Sequence, residues 1–199
     1  MYLLKWLLGG IVGLAVIWYF LTMYVQQPGR DFSEDLLSSN AKRHALFVFD
    51  PDPFYNLDEK LCMSFARAIR DFGFNAYLRS PNAVGELKDR EFDLLVLCTN
   101  TYNWAPDDAV RDFWRNYPDP QDQRVVLMTL GGGSTARARQ IMEKSIQERK
   151  AQLLASKEFW SWKPNDEDRM DEKNSEVAQE MVHLWAMAIA EEHFRIHPE

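Results

Sequence analysis

The chain is 199 residues long, 27% of them charged, with a formal net charge of -7. That length allows one globular domain with an appendage. The acidic balance, with Lys and Arg scattered and no basic stripe interleaved with aromatics, excludes a phosphate-backbone partner such as nucleic acid.

Residues 6–25, WLLGGIVGLAVIWYFLTMYV, contain no charge. At about 1.5 Å per residue this run spans roughly 30 Å, the thickness of a bilayer core. Trp18, Tyr19 and Tyr24 fall toward its end, where amphipathic rings favour a membrane interface. The run is too long for a signal-peptide core, and Met23-Tyr24-Val25-Gln26-Gln27-Pro28 holds no small-x-small cleavage site. Residues 1–27 are therefore expected to be a single-pass anchor. Lys5 flanks one side and Arg30, Lys42 and Arg43 the other, which leans toward a cytoplasmic domain. Residues 28–43, with Pro28-Gly29 and Ser38-Ser39-Asn40, read as a polar linker, and 44–199 as the globular domain.

Within that domain strand and helix patterns alternate. Residues 45–49 are a continuous apolar run, as for a strand covered on both faces. Asp50-Pro51-Asp52-Pro53-Phe54-Tyr55-Asn56 follows. Residues 57–72 place apolar side chains at 61, 62, 65, 69 and 72, a helical spacing, with Asn56 as the expected N-cap and Gly73 as the stop. Residues 74–79 alternate like a strand near a sheet edge, and 81–91 read as a short helix or turn. Further apolar runs at 94–98 and 125–130 predict strands. Residues 107–116 and 135–150 predict helices, with Ser134 as a cap. A last strand at 153–159 precedes a polar stretch and an amphipathic helix over 175–194. Cys62 and Cys98 fall inside apolar patterns and read as small buried hydrophobes. His183, His193 and His197 have no partner at ligand spacing, so no metal site is expected.

Five strands alternating with helices predict a parallel sheet wrapped on both sides. Ligands of such sheets bind beyond the carboxyl ends of the strands, where strand order reverses. The segments meeting there are 50–56, 99–106 and 130–135. An Asp-x-Asp after an apolar strand, Asp50 and Asp52, also resembles the haloacid dehalogenase-like phosphotransferases, with Thr99 as phosphate contact. That chemistry needs carboxylates after a later strand to hold Mg²⁺, and the strand at 125–130 is followed by Gly131-Gly132-Gly133-Ser134.

This layout, over roughly residues 44–194, resembles the flavodoxin-like family. The resemblance rests on the first strand and loop, on Thr99-Asn100-Thr101-Tyr102-Asn103-Trp104, on Thr129-Leu130-Gly131-Gly132-Gly133-Ser134, and on Phe159-Trp160-Ser161-Trp162 before the closing helix. It implies a three-layer α/β/α sandwich with a five-stranded parallel sheet in the order 2-1-3-4-5, FMN as cofactor, and electron transfer or flavin-dependent reduction beside the membrane. By the same resemblance Thr99, Asn100, Thr101, Tyr102, Asn103, Trp104, Gly131, Gly132 and Gly133 would hold the isoalloxazine ring, and Tyr55 and Asn56 what remains of the phosphate site. The family's phosphate loop reads Ser/Thr-x-Thr-Gly-Asn-Thr. Here acids and prolines stand in place of hydroxyls and glycine, and each proline removes an N–H donor. A flavin-free module docking a protein partner at the same edge is the alternative.

Overall fold

The computed structural model describes residues 2–39, 41–52, 55–87 and 90–195. Pro53 and Phe54 of the first loop, Asn40 of the connector and His197 lie outside them.

The chain opens with helix α1 (Tyr2–Val25), of which Lys5–Val25 is long and apolar enough to cross a membrane and is exposed apart from the partly covered Thr22 and Val25. The domain that follows is built on strands β1 (Ser33–Leu36), β2 (Arg43–Phe49), β3 (Phe74–Arg79), β4 (Leu94–Tyr102), β5 (Ala105–Pro106), β6 (Arg124–Gly131) and β7 (Gln152–Trp160). Helices α2 (Leu57–Arg70), α3 (Asp108–Asn116), α4 (Ala136–Glu148) and α5 (Asn174–Phe194) connect or close them, and a short 3₁₀ segment covers Pro81–Leu87.

The sheet runs β1-β3-β2-β4-β6-β7, with β5 paired to β4. Five of these strands, β3-β2-β4-β6-β7, are mutually parallel and follow the order expected from the sequence. The whole sheet differs from that expectation by two added antiparallel strands. β5 is a two-residue return from β4, and β1 comes from the stretch read as a linker. Its register, Ser33 opposite Arg79 and Leu36 opposite Ala76, lays it along the free edge of β3. Phe32 explains the attachment. It is buried against Phe49, its N–H donates to Ser80 Oγ at 3.0 Å, and its carbonyl accepts from the Ser80 N–H at 3.0 Å. Arg79, itself buried, adds an ion pair to Asp35 at 2.6 Å. β1 then forms this margin of the sheet, and a strand of only four residues offers little ladder to another chain.

The apolar runs behave as buried parallel strands should. In β2 alternate residues face opposite layers: Ala45, Phe47 and Phe49 join the core under α2 and α5, while Leu46 and Val48 join the core under α3 and α4. Cys62 and Cys98 are free and buried. The carboxyl ends of β2, β4 and β6 therefore lie side by side at one edge, and the loops leaving them meet there.

Candidate functional site

Start at the end of β2. Asp50 accepts the Gly29 N–H at 2.8 Å, pinning the connector to the loop. A Cβ on Gly29 would come within 2.5 Å of the Pro51 carbonyl oxygen, so only glycine permits this approach. Asp52 accepts the Tyr55 N–H at 3.1 Å. Among the described residues no group of three or more His, Cys, Asp or Glu side chains is placed to hold a metal ion.

Asn56 does not cap α2 as the sequence suggested. It occupies the N-cap position in the left-handed conformation (φ 48°, ψ 32°), where its side chain makes no capping bond; a capping side chain needs an extended backbone to fold back over the first turn. One donor of the helix start is met by Asp58, one residue inside the helix and fully buried. Its carboxylate accepts the Glu59 N–H at 2.7 Å, the Asp52 N–H at 2.8 Å and Asn100 Nδ2 at 3.0 Å. Burial pushes the Asp58 carboxyl up to about 6, against those bonds.

The next loop continues the same network. Asp107, at the N-cap of α3, accepts from Val110 N (2.8 Å), Asn100 N (2.9 Å) and Thr99 Oγ1 (2.7 Å). Burial drives its carboxyl up to about 7, with the hydrogen bonds from Val110 and Thr99 opposing. Asn100 thus bridges the starts of two helices, Asp58 through its amide and Asp107 through its backbone. Thr99 and Asn100, expected to contact a ring, are buried parts of this scaffold. Sequence reading missed Asp58 and Asp107. The available signal was a carboxylate at the start of each predicted helix, where it complements the helix dipole.

Thr101-Tyr102-Asn103-Trp104-Ala105-Pro106 is a β-hairpin, with Tyr102 opposite Ala105. Its turn residues Asn103 (φ 49°) and Trp104 (φ 61°) both take left-handed backbone, as a two-residue hairpin turn of this twist demands. The turn points Asn103 at α1: Trp18 Nε1 donates to Asn103 Oδ1 at 3.0 Å, and Asn103 Nδ2 donates to Thr22 Oγ1 at 2.9 Å.

Trp162, just past the end of β7, lies against the third loop. Its Nε1 donates to Tyr55 Oη at 3.2 Å, and the two rings meet edge to face at 6.3 Å. The indole lies directly on Gly132, where a Cβ would stand 2.8 Å from Cε3. The glycine run thus admits the chain's own tryptophan. Ser134 is not the cap of α4. Thr135 holds that position, and its hydroxyl donates to Glu158 at 2.7 Å and accepts from Trp160 Nε1 at 3.0 Å.

These loops enclose a slot of about 380 Å³. Of the residues expected at the site, Tyr55, Asn100, Thr101, Tyr102, Asn103, Gly131 and Gly132 line it; Asn56, Thr99, Trp104 and Gly133 do not. Trp18, Leu21, Thr22 and Val25 of α1 form a wall that the sequence gave no reason to place there, and Asp52, Ser161 and Trp162 complete it. Thr101 Oγ1, on the lining, is buried without a hydrogen-bond partner. Burial and the surrounding aspartates hold the Tyr102 phenol well above its ordinary range, so it stays a neutral donor.

No protein-family model matches the sequence, and no curated protein is similar to it at the sequence level. Solved structures are similar. A flavodoxin from the domain Archaea superposes with a TM-score of 0.56 at 11% identity, covering 75% of this chain and 97% of that one. Oxidised flavodoxin 2 from Bacillus cereus gives 0.55 at 18% identity, covering 75% and 99%. A flavodoxin, WrbA-like protein from Agrobacterium tumefaciens gives 0.57 at 12% identity, covering 77% and 100%. With the sheet order and the two-sided helical cover, these establish that the chain has the flavodoxin-like fold.

Proposed function

We propose that this chain is a membrane-anchored flavodoxin-like protein whose slot takes a flat, uncharged ring and offers no phosphate anchor. The observation that carries this is the start of α2. A phosphate at a helix N-terminus needs free N–H groups. Here the N–H groups of Asp52 and Glu59 are spent on Asp58, and that of Tyr55 on Asp52. Burial raises the carboxyls of Asp50 and Asp58, and the neighbouring Asp52 charge adds to both, so a phosphate dianion at this loop would face a cluster of acids. The FMN phosphate does not fit this donor set. The slot beside it does suit a planar ring. Its walls include Trp18 and Trp162, and the Thr101 hydroxyl and neutral Tyr102 phenol supply polar groups.

The second reading, an FMN-binding electron carrier, keeps one specific support: the slot lies between the loops after β4 and β6, in the fold shared with the flavodoxins above. Membrane anchoring is supported by the length and apolar composition of α1, and a cytoplasmic domain by the flanking basic residues.

Flavin titrations of the detergent-solubilised full chain separate the two readings. Riboflavin, which carries the ring without phosphate, is expected to quench at least as well as FMN. FMN itself is expected to bind more weakly than about 100 µM, worth less than roughly 5.5 kcal/mol. Micromolar or tighter FMN binding with a tenfold preference over riboflavin overturns the proposal in favour of the electron carrier.

A further inference from the structure

Among the described residues, the three most exposed aromatic side chains of the domain lie at the carboxyl edge. Tyr55 is 50% exposed, Trp104 55% and Trp162 74%. They belong to three different loops, and large exposed aromatics are unusual on a water-facing surface. Beside them stands α1, whose Trp18 and Thr22 lie one turn apart on a single helix face. Both are gripped by the one Asn103 amide, which donates to the threonine and accepts from the tryptophan. The two left-handed residues of the hairpin turn, Asn103 and Trp104, aim that amide at the helix. The amide is satisfied within the protein, so it carries no unmet hydrogen bond into a poorly hydrated layer.

Where the clamp grips sets a depth. Trp18 lies seven residues before Val25, the last residue of α1. At about 1.5 Å per residue, a turn held at Trp18 sits about 10 Å short of the helix end. If the last two turns of α1 lie in the headgroup layer, with the hydrocarbon-embedded part ending near Trp18, the hairpin tip is carried down to headgroup level. Trp18, Tyr19 and Trp104 are then neighbours in the layer that amphipathic rings prefer.

We propose that the carboxyl edge of the sheet docks on the bilayer itself, with the turn at Asn103 and Trp104 seated among the lipid headgroups and the slot opening toward the membrane. The occupant is a zwitterionic lipid interface. The chain is acidic overall and Asp52 lines the slot, so attraction to anionic lipid plays no part, and the aromatic rim supplies the affinity. The proposal rests on α1 spanning the membrane. It makes the flat ligand of the slot one that arrives from the lipid phase.

The test uses the full chain reconstituted in phosphatidylcholine vesicles. Single cysteines replace Trp104 and Trp162 at the rim, Val12 in α1, and Glu148 at the end of α4, on the opposite edge of the sheet. Each carries a nitroxide, with the parent chain as the control for its buried Cys62 and Cys98. Collision rates with oxygen and with a water-soluble nickel chelate report depth. At 104 and 162 the oxygen-to-nickel ratio is expected to lie between those at 12 and 148, at least threefold above 148. Adding Asn103→Ala should drop the ratio at 104 toward that at 148 while leaving 12 unchanged. Rim labels as aqueous as 148, with 12 reading hydrocarbon, overturn the docking and leave the anchor standing. An aqueous reading at 12 overturns the anchor, and the docking with it.

Discussion

Asp58 and Asp107 are the residues on which the site turns. Each answers helix-start donors that would otherwise be open to solvent or to an anion, and each is buried enough to hold its proton above the unfolded value near 4. Between about pH 4 and pH 7 the folded chain therefore keeps protons that the unfolded chain releases. The stabilising contribution is full below about pH 4 and is lost as pH rises through 6 and 7. In urea unfolding of the detergent-solubilised chain, the midpoint is expected to fall over that window. Asp107→Asn should flatten the slope, whatever it does to the absolute midpoint; an unchanged slope would refute the assignment. Gly132 makes a second residue-scale case. In Gly132→Ala the new methyl displaces the Trp162 ring, which is largely exposed and can swing away. Stability should change by no more than about 1 kcal/mol. The bond from Trp162 to Tyr55 is lost, so the near-ultraviolet dichroism should weaken and ring-ligand affinity fall about tenfold.

At the scale of elements, two pieces behave differently from their sequence patterns. The stretch 28–43 reads as polar connector, yet it supplies β1, because Phe32 fills a place beside Phe49 and backbone pairing with β3 does the rest. Removing that ring should be costly. Phe32→Ala is expected to destabilise the domain by about 3 kcal/mol, the range for emptying a buried aromatic site, as read from the urea midpoint at constant m-value. A loss below about 1 kcal/mol would mean that β1 is held by its ladder alone. The tip of the β4–β5 hairpin is the other piece. Its aromatics, Tyr102 and Trp104, suggested a pair of stacking rings. The tight turn sends them apart instead: Tyr102 lines the slot and Trp104 faces outward.

Over the whole molecule, strand and helix types were readable because apolar runs of five or six residues and helical spacing report burial directly. The parallel core and its order follow from that alternation and from the handedness of crossovers. The three loops at the carboxyl edge were readable too, since they are where such a sheet leaves its strands. Their roles were not. Thr99 and Asn100 carry polar atoms suited to a ligand, and only their neighbours show that those atoms serve Asp107 and Asp58. The prolines and acids of 50–56 pointed away from a phosphate cradle; that Asp58 gathers the Asp52 and Glu59 N–H groups could not be foretold.

The chain by itself determined an apolar span, an alternating α/β domain and a first loop poor in donors, because each of these is a local pattern of side-chain types. Tertiary structure alone decided that Asn100 joins Asp58 across 42 positions, that Gly29 admits the first loop, and that α1 walls the slot through Trp18 and Asn103, 85 positions apart. Such partners are chosen by the packing of distant segments, and no local periodicity encodes which buried donor will meet which acceptor.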